Sequence, residues 1–285
     1  MNIFSVEFLI FLIITLILYY TAARRKQWVV ILAANLVFYF FSGYKNLIYI
    51  VLTIITTWFG ARLAERLEAA GKAERKAAAT REEKQRIKKK YLLRKRLVLA
   101  AALTVNFGLL GFIKYFEVCL NAIYGLAGDG AHLSASGLIL PLGISFYTFQ
   151  ATGCLIDVYG SKYESEKNIL KYAAFVSFFP QLIQGPINRY NEMKESLYTS
   201  HRLSPGLIRY SLIRFGFGAL KKFAVADLLS GGVAAILDSG DPSLSGMTIA
   251  VGILLYGAQQ YTDFTGATAI YGNVKISTTD IGAVF

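Results

Sequence analysis

The chain has 285 residues and is 55% hydrophobic, 14% aromatic and only 17% charged, well under the roughly 25% charge of an ordinary soluble domain. Its formal charge is +12, but residues 61–96 hold 14 of the 30 Lys and Arg against 5 of the 18 Asp and Glu, which leaves +3 for the other 249 residues. So few charges cannot cover a soluble surface, and a basic excess confined to one stretch of an apolar chain excludes both a cytosolic enzyme and a nucleic-acid binder.

Two cysteines, Cys119 and Cys154, exclude a disulfide framework and a Cys-rich metal site. No cluster of His, Cys and carboxylates has metal-ligand spacing, and His132 and His201 both lie in polar connections. The first apolar segment, Ile3–Tyr20, is 18 residues interrupted only by Glu7, long enough for about 27 Å of helix. Its basic residues Arg24, Arg25 and Lys26 follow it, the reverse of a cleavable signal, so it reads as a retained anchor.

Trp28–Phe41 and Leu47–Gly60 are the next two spans, joined by the polar turn Ser42-Gly43-Tyr44-Lys45-Asn46. Tyr19, Tyr20, Trp28, Tyr44 and Trp58 sit near segment ends, where an aromatic belt belongs. Residues 1–60 thus form three N-terminal transmembrane helices. Two crossings separate the first basic cluster from the basic loop 61–96. The positive-inside rule then places both in the cytoplasm and the N-terminus outside. The loop is rich in Ala, Glu, Lys and Arg and reads as helix, with pairs such as Glu82–Arg86 at i,i+4. It is either a solvated topology determinant or a surface for anionic lipid head groups or an acidic carrier protein.

Leu97–Ile113 is a fourth span, closed by Lys114 and Glu117, and Gly125–Gly137 reads as an external turn. Beyond it the spans are broken. Leu138–Gln150 carries Pro141 and Gly143 and runs on to Asp157, Tyr159 and Gly160. Asn168–Phe179 is a helical run of 12 residues, at about 18 Å too short to cross. It ends in Pro180, Gln181, Gln184, Gly185 and Pro186, then Asn188, Arg189 and Tyr190. Irregular backbone at membrane depth is tolerated only where protein or a watered cavity surrounds it. Two interrupted segments carrying Gln150, Gln181 and Gln184 therefore point to re-entrant elements around a polar cavity, against the plainer reading of a proline kink in a packing helix.

Leu207–Leu237 is split by Lys221 and Lys222 and flanked by Arg209, Arg214 and Asp227. Each Lys or Arg at the bilayer centre costs about 2.5–3.5 kcal/mol, so these side chains sit at the interface or point into a cavity, where an acidic group could face them. Met247–Tyr261 is the last apolar run and leads to Gln259, Gln260 and Asp263. The expected fold is an all-α integral membrane protein, a multi-span helical bundle with broken or re-entrant helices around a polar cavity.

Five blocks carry a resemblance: Leu140-Pro-Leu-Gly-Ile-Ser-Phe-Tyr-Thr-Phe-Gln150, Asp157-Val-Tyr159, Phe178-Phe-Pro-Gln-Leu-Ile-Gln-Gly-Pro-Ile-Asn-Arg-Tyr190, Gly218-Ala-Leu-Lys-Lys-Phe223 and Tyr261-Thr-Asp-Phe-Thr-Gly266. In this order they resemble the membrane-bound O-acyltransferase family, in its bacterial branch of alginate and peptidoglycan O-acetylation and D-alanyl-lipoteichoic acid transfer proteins. Phe38-Tyr-Phe40 and the basic loop also suit it.

The resemblance implies a partial membrane core over residues 97–266 of an enzyme in the bacterial inner membrane. Such an enzyme takes an acyl group, acetyl or D-alanyl, from a cytoplasmic thioester donor. The donor is acyl-CoA or an acyl carrier protein, with no bound cofactor. The acceptors are hydroxyls of a cell-envelope polymer, reached directly or through an extracytoplasmic partner acyltransferase. The other contacts expected are membrane lipids. The family's catalytic histidine follows the Asp-Phe-Thr-Gly-like block and has no counterpart here. Residues 267–285 instead read as an atypical polar tail, so the expectation is a C-terminally truncated chain that is inactive alone.

Asp157 and Asp263 are the acid/base candidates that remain, each with an alternative reading as a helix-end residue. The remaining cavity candidates are Gln150, Tyr159, Gln181, Gln184, Gly185, Pro186, Arg189, Tyr190, Lys221 and Lys222. The competing classes are a lipid or polysaccharide transporter, which also uses broken helices, and a non-catalytic membrane scaffold.

The charge order yields a topology test. An Ala78→Cys thiol is expected to resist an impermeant thiol reagent in intact cells, whereas a Ser136→Cys thiol is expected to react. Equal labelling would reverse the orientation.

Overall fold

A computed structural model describes residues 6–43, 47–126, 141–182, 187–202, 204–241 and 243–276. The described residues are helical, with no strand among them. In chain order the helices are α1 Val6–Thr21, α2 Gln27–Gly43, α3 Leu47–Ala77, α4 Arg81–Leu126, α5 Ile144–Tyr159, α6 Ile169–Val176, α7 Phe179–Leu182, α8 Tyr190–Tyr198, α9 Pro205–Leu220, α10 Asp227–Leu237 and α11 Gly246–Ile276. Three helical segments are long and apolar enough to cross a membrane: Arg24–Gly43, Leu47–Ala77 and Arg81–Phe116. The protein is an all-α membrane protein.

Contacts divide it into two compact units, Met1–Leu182 with Ile187–Tyr198, and a second that contains Thr199–Phe285. In the first, α3 packs along α4, α5 and α6, and α2 packs against α1 and α6. Ala61, Ala102, Leu155 and Val158 are buried where α3, α4 and α5 meet. Gly60 lies at the same junction, where a Cβ would just touch Ala102 and Leu155 at 3.4 Å. Aromatic rings join the N-terminal helices to the broken segment: Phe179 of α7 lies 5.3 Å from Phe11 and 5.4 Å from Phe38, centroid to centroid.

The basic stretch 61–96 is helical apart from a short turn. It continues both α3 and α4, whose 31 and 46 residues amount to about 46 and 69 Å, beyond the roughly 30 Å of hydrocarbon. Only Ala78–Thr80 interrupts the two helices. Thr80 and Glu83 close a capping box there: the Thr80 N–H donates to the Glu83 carboxylate and the Glu83 N–H to the Thr80 hydroxyl, each at 3.3 Å. Gly71 brings the two arms together, because a Cβ at that position would lie 2.9 Å from the Tyr91 ring.

The interruption between α6 and α7 has a chemical cause. Asn168 starts α6 by accepting the Leu170 N–H at 2.9 Å. Pro180 lacks the N–H that would bond back to Val176, so the helix cannot continue. One side chain meets three of the freed groups. Asn35 of α2, 0% exposed, donates to the Ala174 carbonyl at 3.2 Å and the Ser177 hydroxyl at 3.0 Å, and accepts the Phe179 N–H at 3.1 Å.

In the second unit α11 packs against α9 and α10. A six-residue π-helical turn, Lys221–Ala226, links α9 to α10. Gly252 lets α10 and α11 approach, its missing Cβ falling 2.7 Å from Ile236. Helix α11 runs past Gly266 to Ile276, whereas the sequence pattern placed a polar tail from 267. Residues 277–285 lie outside the described residues.

Asn35→Leu keeps an apolar side chain of similar size but leaves three buried polar groups without this partner. Each is worth about 1–3 kcal/mol. A marked fall in the thermal midpoint of the detergent-solubilised chain is expected, and an unchanged midpoint would show that the break is satisfied otherwise.

Candidate functional site

The candidates in the first unit are brought together as a packed polar knot. Gln150, on α5, is 3% exposed and Gln181, on α7, is 4% exposed. Gln150 donates its amide to the Phe175 carbonyl at 3.0 Å and to the Gln181 amide oxygen at 3.1 Å. Gln181 in turn faces the Met193 sulfur at 3.5 Å. Both glutamines are thus buried in hydrogen-bonded contacts with protein. The Phe175 carbonyl, released near the end of α6, gains its side-chain donor from Gln150. Gln184, Gly185 and Pro186 lie outside the described residues.

Tyr190 is also buried, and its hydroxyl donates to the Glu166 carboxylate at 2.5 Å. Glu166 accepts the Asn168 N–H at 2.8 Å through its other oxygen, and its carbonyl accepts the Trp58 indole N–H at 2.8 Å. Tyr190 is therefore anchored in protein and does not line open space. Arg189 is exposed, and its carbonyl starts α8 by accepting from Glu192 and Met193.

Asp157, in the last turn of α5, is buried and pairs with Lys162 at 2.6 Å. That is the helix-end reading of this residue. Tyr159 offers its carbonyl to the buried Lys95 at 2.9 Å, with the same ammonium 5.0 Å over its ring. Lys95 also pairs with Glu68, which accepts from Ser161 at 2.6 Å. These contacts lie beyond the apolar part of α3. The hydrogen bond from Lys95, then that from Ser161, draws the Glu68 carboxyl down to about 2, against the opposing effect of burial.

The second unit holds an ion-paired cluster. Lys222 donates to the Asp263 carboxylate at 2.5 Å and lies 3.4 Å from Asp227. The charge on the split apolar run is thus met by two carboxylates, one on α11 and one opening α10. Lys221 takes the other course, its ammonium 5.1 Å over the Phe217 ring. The backbone here is wound wide, as π turns often are at functional positions. Gly266 touches it so closely that a Cβ would stand 2.9 Å from the Gly218 carbonyl. Lys222 and Asp263, 41 residues apart, thereby join two motif blocks, Gly218–Phe223 and Tyr261–Gly266, in one contact.

An open volume of about 470 Å³ lies between α10 and α11, lined by Ser230, Val233, Leu237, Asp238, Tyr256 and Gln259 among others, within the range of small-ligand sites. Among the described residues no group of three His, Cys, Asp or Glu could hold a metal. His201 lies in the connection between α8 and α9, and His132 lies outside the described residues. Sequence reasoning missed Asn35 and Glu166. The first was legible as a lone carboxamide inside an apolar span, while the second carried no signal.

Comparison with known proteins completes the picture. No protein-family model matches the chain. It is 34% identical over 172 residues to a probable alginate O-acetylase AlgI from Azotobacter vinelandii, covering 59% of this chain and 34% of that protein. It is 30% identical over 227 residues to the protein of the same name from Pseudomonas aeruginosa, covering 77% of this chain and 38% of that one. It is 33% identical over 224 residues to a peptidoglycan O-acetyltransferase from Helicobacter pylori, at 64% and 40% coverage. The chain is a relative of these bacterial O-acetyltransferases. The resemblance to membrane-bound O-acyltransferases carried by its five blocks agrees with them. The chain spans about a third to two-fifths of the length of the O-acetyltransferases it matches.

For this O-acetyltransferase relative the Lys222–Asp263 pair is open to a mutant cycle. Lys222→Met or Asp263→Asn alone removes one partner of a partly buried pair, and each is expected to lower stability by about 1–3 kcal/mol. The double variant should lose less than the sum, a positive coupling read from denaturation midpoints. Strict additivity would mean that the pair contributes nothing.

Proposed function

We propose that this chain forms the N-terminal part of a membrane O-acyltransferase of the bacterial inner membrane that crosses it several times and acetylates hydroxyls of a cell-envelope polymer. The observation that carries the reading is the match over more than half of the chain to proteins named for alginate and peptidoglycan O-acetylation. The donor is a thioester on the cytoplasmic side. A hydroxyl oxygen of the acceptor attacks its carbonyl, the new C–O bond forms as the C–S bond breaks, and the hydroxyl proton ends on the departing sulfur. Acetyl is favoured over D-alanyl because the matched proteins are named for acetyl transfer.

That step needs a base within hydrogen-bond reach of the attacking oxygen. Asp263 is held by Lys222 and Asp157 by Lys162, so both carboxylates are committed to cations. The resemblance assigns the base to a histidine in the part of the family that follows the Tyr261–Gly266 block. In this reading the described helices supply binding and positioning, which contribute about 7–11 kcal/mol in well-oriented reactions.

The test is acceptor O-acetylation in membranes holding the 285-residue chain, the same chain with a histidine grafted after Gly266, or a chimera continued after Gly266 by the downstream part of a close relative. Only the chimera is expected to turn over. Losing a general base alone removes about 10²–10⁴ in rate, and the loss of positioning helices adds to it, so the graft should not rescue. Clear turnover by the unextended chain would overturn this division of labour, and an inert chimera that folds would overturn the acyltransferase reading.

A further inference from the structure

We infer that the hydroxyls of Tyr39 and Tyr147 hold a buried water molecule between α2 and α5, at the end of the first unit opposite the basic hairpin.

Tyr39 is 1% exposed and Tyr147 is 0% exposed, and the hydroxyl oxygen of each is closed to the outside with no hydrogen-bond partner among the described residues. Chain position gathers them at one end of the unit. Tyr39 stands four residues before the end of α2 and Tyr147 in the first turn of α5, while the half-buried Tyr49 lies in the first turn of α3. The last residue of α5, Tyr159, is bonded to Lys95 at the base of the hairpin, so its first turn lies away from that base. Helices α2 and α5 each pack against α3 and α7, and the two tyrosines approach each other across these shared neighbours. Their hydroxyls are within electrostatic reach of one another, and that of Tyr147 is within reach of Tyr49 as well.

Two hydroxyls so placed could satisfy each other by a direct bond, and they make none. What fits between them is a group that both donates and accepts. Leaving two buried hydroxyls unmet costs more than holding one ordered water, and buried waters sit where several polar groups converge. Size selects water over a larger hydroxyl-bearing molecule, since a sugar unit does not enter where both oxygens are closed off by protein. Tyr172 shows the contrast. It is 2% exposed, and its hydroxyl is bonded to Thr57 at 3.0 Å and to the Ala151 carbonyl at 3.3 Å, so it needs no water. The site puts water one turn along α5 from Gln150, whose amide is held by protein.

The experiment is magic-angle-spinning NMR of the 285-residue chain in perdeuterated lipid, with tyrosine labelled at Cζ and magnetisation transferred from water protons. Each signal is assigned by its loss in Tyr39→Phe, Tyr147→Phe or Tyr172→Phe. Tyr39 and Tyr147 should gain water magnetisation several-fold faster than Tyr172. In Tyr147→Phe the transfer to Tyr39 should slow, because the water has lost its second anchor, while Tyr172 should not change. Thermal midpoints are the second readout. Tyr39→Phe and Tyr147→Phe should each lower the midpoint by a few degrees, and the double variant should lose less than the sum, since both hydroxyls act through one molecule. Transfer to Tyr39 and Tyr147 as slow as to Tyr172 would overturn the proposal, and with lowered midpoints it would assign the hydroxyls to a protein group instead. An unchanged or raised midpoint in either single variant would also overturn it, by showing a hydroxyl left unmet. Strictly additive losses would do the same, by showing two separate sites.

Discussion

Buried carboxamides that meet the backbone groups freed at one break hold the first unit together. Backbone groups freed inside a membrane protein cost several kcal/mol each when nothing meets them, and the break between α6 and α7 frees several. Asn35 answers them from a neighbouring helix, donating to Ala174 and Ser177 and accepting from Phe179. Gln150 does the same for Phe175 from α5. These bonds also fix positions, because Asn35 is held through both its oxygen and its nitrogen and Gln150 through two bonds from its nitrogen. The register of α2 and α5 against the broken segment is set by chemistry, and the rings of Phe8, Phe11, Phe38 and Phe179 then fill the space beside it.

The second unit solves a related problem with charge. The π turn at Lys221–Ala226 places two lysines side by side where an apolar run is interrupted. Lys222 is held by Asp263 and Asp227, and Lys221 lies over Phe217. Gly266 then lets α11 come against the turn without a clash at Gly218. A larger residue there would push apart the two helices that carry the ion pair. Close approach and charge pairing are thus one arrangement, which explains why the glycine and the aspartate stand three positions apart in the same block.

Apolar length and charge order made the first four helices legible, and Pro180 and the Lys221–Lys222 pair marked the later interruptions correctly. The reason each interruption is tolerated was not legible. Asn35 and its partners Ala174 and Ser177 are 139 and 142 residues apart, a separation about which local pattern says nothing. The same limit applied to Gln150 and Gln181, where glutamines beside breaks were read as cavity wall and form a packed contact. The basic stretch was read as helix but bounded as a loop, because hydropathy ends at the membrane surface whereas helix propensity does not. The five blocks pointed to the O-acyltransferase resemblance through order and residue type. Of the contacts within those blocks, the Lys222–Asp263 bond was foreshadowed only as a cation in need of an acid.

The hairpin and the broken segment share an anchor. Lys95 leaves the basic arm of α4, is buried, and binds both Glu68 of α3 and the carbonyl of Tyr159 at the end of α5. Ser161, just past α5, reaches the same carboxylate. The base of the hairpin is therefore bonded to the end of the helix that carries Gln150, Asp157 and Tyr159. A cation so placed does what topology alone does not require. Any exposed lysine at this level would orient the chain, but only a buried one with two protein partners ties the projecting arm to the membrane-embedded helices. The hairpin is in this sense part of the fold of the first unit as well as the carrier of its charge.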